Sequence, residues 1–249
     1  MSNILVLGGT TEASALAASL AERKEAAVLS YAGRVANPRA QPIPVRIGGF
    51  GGIDGLAEYL RYNGVTHLID ATHPFASRMS ANAVVAAARA GVAHIALTRP
   101  AWVAVEGDRW TRVPDIEAAV AALSGPARRV MLALGRMHVD AFGAQPQHEY
   151  LLRFVDAPEH VPGLPRHHLV VDRGPFDVEG DLALMDTRRI EMVVCKNAGG
   201  SGAQAKLHAA RILGLPVIMI ERPVLPARLE AHRVEDVLGW LAHRADRGV

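Results

Sequence analysis

The sequence predicts an α/β fold: two Rossmann-like domains with mainly parallel sheets, pseudo-duplicated, with a ligand cleft between them. Three observations carry this. Short apolar runs alternate with helical stretches, the layout of parallel βαβ pairing. A Gly-rich turn, "LGGTTEAS", follows the first run and opens a helix. The stretch 65–100 also matches 190–223 element by element: strand, irregular loop, Ala-rich helix, Gly, strand, then Arg-Pro.

The first strand is "NILVL" (3–7), too brief for a helix. A helix follows to about Arg23, then the strand "AVLSY". Residues 32–52 are rich in Gly and Pro and read as loop with one short strand inside. "IDGLAEYLRYNG" is a helix closed by Gly64, "VTHLIDAT" a strand, "ASRMSANAVVAAARAG" a helix and "AHIALT" a strand. The self-match extends upstream, 49–60 against 175–186, pairing Phe50 with Phe176 and Leu56 with Leu182. It extends downstream, 112–123 against 233–244, and 128–136 takes the place of 2–10. Two domains are expected, 1–126 opening on the Gly-rich turn and 127–249, meeting near Gly125-Pro126 with the cleft between them. A long segment follows each Arg-Pro before the next helix. Whether the terminal strands stay in their own domain or cross to the other is left open.

The chain has 249 residues, half of them hydrophobic, and a net charge of +2, so it carries no general field for nucleic acid. Lys24, Lys196 and Lys206 are the only lysines among 27 basic residues. The arginine skew is partly what a GC-rich genome produces, and it also suits bidentate capture of carboxylate and phosphate. One cysteine, Cys195, excludes an internal disulfide and any multi-cysteine metal site. No basic leader region precedes the first strand, and no apolar run reaches the roughly 18 residues of a membrane span. The expectation is a cytoplasmic monomer.

Ligands bind beyond the carboxyl ends of such strands, so the loops to read are 8–12, 30–39, 70–78, 98–102, 135–138, 172–176, 195–203 and 221–223. Gly8, Gly9, Thr10 and Thr11 stand where a pyrophosphate turn would be. They depart from G-x-G-x-x-G, and alone they read equally as a plain strand–helix turn. The end of the second strand carries Ser30 and Arg34 and no acid. A dinucleotide held there should be NADP(H), because an acid would repel its 2′-phosphate. "KNAGGSGAQAK" (196–206) is neither a Walker loop nor a nucleophile elbow. Lys196, Asn197, Gly199, Gly200 and Ser201 suit an anionic ligand, or form a simple connection. Arg39, Arg99, Arg136, Arg173 and Arg222 lie at strand ends and together suit a substrate with several carboxylates. In "IDATHPFA", Asp70 and His73 flank Thr72 without a third metal ligand or a convincing nucleophile nearby. Asp70 reads as a support for its loop.

Taken together, "ILVLGGTTEAS", "SYAGR", "IDATHPFA", "RPAW", "RGPF" and "KNAGG" followed by "RP" resemble the precorrin-6A reductases of corrin-ring biosynthesis, over roughly 4–223. Ala198 stands where relatives often carry Ser. The resemblance implies NADPH-dependent reduction of a double bond in the tetrapyrrole precorrin-6A, giving precorrin-6B on the route to cobalamin. It implies Gly8, Gly9, Thr10, Thr11, Ser30, Arg34 and Thr72 at the cofactor, and the arginines with 196–201 at the acidic arms of the substrate. His73 becomes a proton source or substrate contact, and no metal is expected. The alternatives are the cobalt-precorrin-6A reductase of the anaerobic branch, or a different NADP-dependent reductase on the same scaffold.

Overall fold

A computed structural model describes residues 2–32, 40–154, 156, 158, 160, 162–172 and 176–245. The chain forms two units, one made of residues 1–100 and 224–249, the other of 101–223.

Unit 1 begins β1 (Asn3–Leu7), α1 (Thr11–Glu22), β2 (Ala26–Tyr31), β3 (Val45–Ile47), α2 (Gly52–Tyr62), β4 (His67–Asp70), α3 (Ser77–Ala90), β5 (Ala93–Leu97). The chain then enters unit 2 with β6 (Arg109–Val113), α4 (Ile116–Ala121) and β7 (Arg129–Ala133), followed by a 3₁₀ helix over Arg136–Ala144. Unit 2 continues through β8 (Glu149–Phe154), β9 (His167–Val171), α5 (Val178–Thr187), β10 (Met192–Lys196), α6 (Ala205–Ile212) and β11 (Pro216–Ile220). The chain returns to unit 1 for β12 (Glu230–Ala231) and α7 (Val234–Ala245).

Each sheet has six strands, in the orders β3-β2-β1-β4-β5-β12 and β9-β8-β7-β10-β11-β6, with every pairing parallel. Numbering the positions 3-2-1-4-5-6 along each order as written, both are the doubly wound arrangement, in which the winding reverses between positions 1 and 4, β1 and β4 in unit 1 and β7 and β10 in unit 2. The sixth position distinguishes them. In unit 1 it is filled by β12, the last strand of the chain; in unit 2 it is filled by β6, which precedes the other five. The expected boundary near 126 is therefore corrected, because β6 pairs with β11 and β12 with β5. The segments following the two Arg-Pro dipeptides have exchanged units. The downstream self-match also shifts by three residues. In the sheets Ala231 occupies the position of Val113, so the shared "RV" of 112–113 and 233–234 is not structurally equivalent.

The central strand of unit 1 explains its apolar run. Ile4 and Val6 pack with Leu16 and Leu20 of α1 and Val237 of α7, while Leu5 and Leu7 pack with Leu56 and Leu60 of α2. A strand covered on both faces must be hydrophobic at every position. Helix starts follow capping chemistry. Thr10 caps α1, Asp115 caps α4 and Asp177 caps α5, each side chain accepting a backbone N–H three residues on. Among the described residues no helix is long and apolar enough to cross a membrane.

Candidate functional site

The switch point of unit 1 lies between β1 and β4. The loop after β1 runs Gly8-Gly9-Thr10. Gly8 donates its N–H to Ser30 O at 2.9 Å, and a Cβ on it would stand 2.7 Å from Leu29 Cδ1. Gly9 has φ +128°, a conformation open to glycine, with nothing within 4 Å of where its Cβ would be. The turn thus keeps backbone uncovered ahead of the first amides of α1, where an oxyanion is stabilised by the N–H groups that lack helical partners. The Thr10 hydroxyl is committed on both sides: it accepts from Ala13 N (3.1 Å) and donates to Ala71 O (2.9 Å). It ties the loop after β1 to the loop after β4, so its side chain shapes the turn and only its backbone is left to face a ligand. The Thr11 hydroxyl donates to Glu12 Oε2 at 3.2 Å.

The Asp70 carboxylate is buried at the end of β4 and fully engaged. Oδ1 accepts from Thr72 N (3.1 Å) and Thr72 Oγ1 (2.7 Å), and Oδ2 accepts from Arg228 Nη1 (2.8 Å). This is a loop support, as read from the sequence. The Thr72 hydroxyl, expected at the cofactor, is instead spent on Asp70, with Ser80 Oγ 3.3 Å away. His73 Nδ1 accepts from Phe75 N at 3.2 Å, which leaves the proton of the neutral ring on Nε2. On β5, His94 faces the Asp70–Arg228 pair. Its pKa is lowered chiefly by burial; Asp70 pulls it up and Arg228 pushes it down. Arg99, two residues past β5, lies 3.7 Å from Glu12 Oε1 at the start of α1.

Ser30 is expected at a 2′-phosphate. It is only 5% exposed, and its Oγ accepts from Arg46 Nη1 at 3.3 Å. Its part is to hold Arg46, a residue that the sequence reading passed over. Arg34 and Arg39 lie outside the described residues, as does Arg173 of unit 2.

In unit 2 the switch point lies between β7 and β10. Arg136 is exposed at the start of the 3₁₀ helix. The loop after β10 contains Gly199 and Gly200, with φ +71° and +74°, consecutive left-handed residues that turn the backbone sharply. Lys196 and Ser201 flank them. Asn197, expected at the substrate, is 1% exposed and clamps the backbone of Trp102. Its Oδ1 accepts from Trp102 N (2.8 Å) and its Nδ2 donates to Trp102 O (3.1 Å). It therefore anchors the incoming chain and does not face a ligand. Arg222 donates from Nε to Asn197 O (3.0 Å) and from Nη2 to Ala198 O (3.1 Å), which holds the Gly-rich loop in shape. Trp102 Nε1 donates to Gly200 O at 2.8 Å, and buried Lys206 lies 4.8 Å from the Trp102 ring. Cys195 is wholly buried in the core of β10, its thiol pushed up to about 11 by burial, so it is no nucleophile.

The structure gathers Gly8–Thr11, Ser30, Thr72, His73 and Arg99 at strand ends of unit 1. Arg136, 196–201 and Arg222 sit at strand ends of unit 2. Arg46 and Arg228 were not singled out, and Glu12, Trp102 and Lys206 lie in quoted motifs without having been named as members of these clusters.

Two doubly wound units, one with a glycine turn opening onto a helix at its switch point, define an α/β protein of the nucleotide-binding class. The chain belongs to the family described as precorrin-6x reductase CbiJ/CobK, whose model matches residues 3–242. It is 59% identical over 242 residues to a precorrin-6A reductase of Rhodobacter capsulatus, covering 97% of this chain and 96% of that one. It is 46% identical to a precorrin-6A reductase of Rhodococcus erythropolis, covering 97% of each. A cobalt-precorrin-6A reductase of Priestia megaterium is 31% identical, covering 97% of this chain and 98% of the other. A solved structure described as CobK precorrin-6A reductase matches with TM-score 0.93 and 58% identity, over 98% of this chain and 97% of that one. The chain is a reductase, with the parallel two-domain architecture read from its sequence.

Proposed function

We propose that this protein reduces precorrin-6A to precorrin-6B with NADPH, and that unit 1 holds the cofactor. The observation that carries the cofactor reading is the Gly8-Gly9 turn at the β1/β4 switch point, opening directly onto the 12-residue helix α1. At the same point in unit 2 the chain enters a 3₁₀ helix, whose tighter and less regular turns offer a poorer array of amides. The residues fit the group: bare backbone at Gly8 and Gly9, helix amides at Thr11 and Glu12, and no carboxylate on β2.

When bound, NADPH would supply the hydride, and the protein's task is to position and polarise. The amides of 9–12 hold the pyrophosphate. Thr10 locks that turn to Ala71, and Asp70, through Thr72 and Arg228, fixes the loop that presents His73. His73 keeps its proton on Nε2 and offers it to the substrate as a hydrogen bond or as the proton that completes the reduction. Arg99 offsets the Glu12 carboxylate at the start of α1. In unit 2, Arg136, Lys196, Ser201 and the Gly199-Gly200 backbone suit the acetate and propionate arms of a tetrapyrrole, with Asn197 and Arg222 shaping the loop.

The metal-free substrate is favoured over its cobalt complex. Relatives named precorrin-6A reductase are 59% to 43% identical, against 31% and less for those named cobalt-precorrin-6A reductase. The test is to mix the protein with NADPH and freshly made precorrin-6A and follow nicotinamide and tetrapyrrole absorbance together. One NADPH should be oxidised per macrocycle reduced, with cobalt-precorrin-6A turned over more slowly. No oxidation with fresh substrate would overturn the reading.

A further inference from the structure

The most informative unassigned side chain is Arg46. It sits on β3 directly opposite Ser30 of β2 in the parallel register. Nη1 donates to Ser30 Oγ (3.3 Å) and to Gly48 O, and Nη2 donates to Gly49 O (2.7 Å). The guanidinium carbon lies 3.9 Å from the centroid of the Phe50 ring and 5.1 Å from that of Tyr59. The cation is thus held by a hydroxyl, two carbonyls and two rings, none of which cancels its charge. No ion pair among the described residues includes it. These bonds engage three of the five guanidinium N–H donors, and two remain for an incoming oxyanion.

Unit 2 shows what the fold does when no anion is to be received there. Strand registers superpose β1 on β7 and β2 on β8, which puts Arg153 where Ser30 stands and Val170 where Arg46 stands. The guanidinium has moved one strand inward, yet Arg153 lies over Phe176 at the same 3.9 Å that separates Arg46 from Phe50. Phe176 is the sequence counterpart of Phe50. There the charge is neutralised by Asp181 of α5, with both side chains almost inaccessible (6% and 4%). The counterpart of Asp181 in unit 1 is Gly55, where a Cβ would collide with the Phe50 carbonyl oxygen, so no carboxylate can stand there.

We infer that Arg46, held by Ser30 and Phe50, is the cation that reads the 2′-phosphate of NADPH and so excludes NADH, and that Asp181 closes the equivalent place in unit 2. The end of the second strand is where such sheets meet the adenosine ribose. A guanidinium already oriented and lacking a counter-ion binds a phosphate dianion without reorganising. The inference rests on the reading of unit 1 as the NADPH-binding unit.

The test is isothermal titration of the full-length protein and of Arg46→Met, which keeps apolar contact with Phe50, with NADPH, NADH, 2′,5′-ADP and 5′-AMP. Losing one or two charge-assisted hydrogen bonds should weaken NADPH and 2′,5′-ADP roughly tenfold to hundredfold. NADH and 5′-AMP should stay within about threefold, which also shows that the variant is folded. Arg46→Lys should recover part of the loss, keeping the charge without the fork. If Arg46→Met keeps the full preference for the 2′-phosphate, or loses all four ligands alike, the assignment of Arg46 is wrong. If the unaltered protein shows no preference for 2′,5′-ADP over 5′-AMP, it is the NADPH reading itself that fails.

Discussion

Asp70 provides the sharpest test of how unit 1 is held together. Its carboxylate accepts three hydrogen bonds, two from Thr72 and one from Arg228, and both partners of the ion pair are buried, at 2% and 6% side-chain exposure. Replacing Asp70 with Ala leaves the Arg228 charge inside the protein. Breaking a buried pair in this way typically costs about 3–5 kcal/mol. Arg228 keeps a second partner, Glu230 at 3.0 Å, which is 43% exposed. That residual pairing argues for the lower end, about 3 kcal/mol, a large share of the roughly 5–15 kcal/mol that holds a domain folded. The assay is urea unfolding of Asp70→Ala, Arg228→Met and the double variant, followed by circular dichroism. The double variant should be less destabilised than the two singles added, with a coupling of about 2 kcal/mol, because it removes the stranded charge. A single-variant cost below about 1 kcal/mol with no coupling would refute the loop-support reading. Asp70→Asn that folds normally and yet abolishes reduction would make Asp70 a catalytic base.

Three further outcomes are expected. Asn197→Ala should lower stability by about 2–3 kcal/mol, measured by thermal unfolding, because it leaves the buried N–H and C=O of Trp102 without partners. His94 has a folded-state pKa below its ordinary 6.5, so the unfolded chain takes up the proton first. Stability should be full above pH 6.5 and fall as pH drops below it, and His94→Leu should flatten that part of the urea-midpoint profile. A fragment spanning 101–223 should unfold cooperatively, since it holds all six strands of its sheet. One spanning 127–249 should not, since it lacks β6 and carries β12 and α7 without their sheet; a well-folded 127–249 would contradict the strand exchange.

Much of the scaffold was legible because its central strands are covered on both faces and must be continuous apolar runs. "NILVL", "VTHLIDAT" and "AHIALT" could be read this way, and so could their repeats. The exchanged strands were not legible, because edge strands carry no such pattern. β6 is "RWTRV" with a largely exposed face, and β12 is only two residues long. Their pairing is set by which sheet has an open edge, a property of the assembled units and of no local stretch. At the candidate site the sequence showed which loops stand at strand ends, and not which partners their side chains take. Asn197 and Thr72 have the polar groups of ligand contacts, and nothing local says that Trp102 or Asp70 will claim them. Arg228 meets Asp70 across 158 residues, a separation that no motif spans. Arg46 stands in a Gly- and Pro-rich segment where only the register with Ser30 gives it meaning.

The two units show how one scaffold is given different chemistry by moving single charges. At equivalent places in the fourth-position strand, unit 1 has Asp70 and unit 2 has Cys195. The carboxylate needs Arg228, and the thiol needs only apolar burial. At the end of the second-position strand the logic reverses: unit 2 has a guanidinium with its own carboxylate, and unit 1 has one without. Arg99 and Arg222 follow equivalent strands, yet Arg99 approaches Glu12 at a helix start while Arg222 grips the carbonyls of Asn197 and Ala198. The buried strand-end ion pair is Asp70 with Arg228 in unit 1 and Arg153 with Asp181 in unit 2. Arg46 stands toward the β3 edge in unit 1, and Lys196 and Arg222 stand at β10 and β11 in unit 2. The two sheets thus keep their strands in register and displace their charges, which fits the proposed assignment of cofactor to unit 1 and substrate to unit 2.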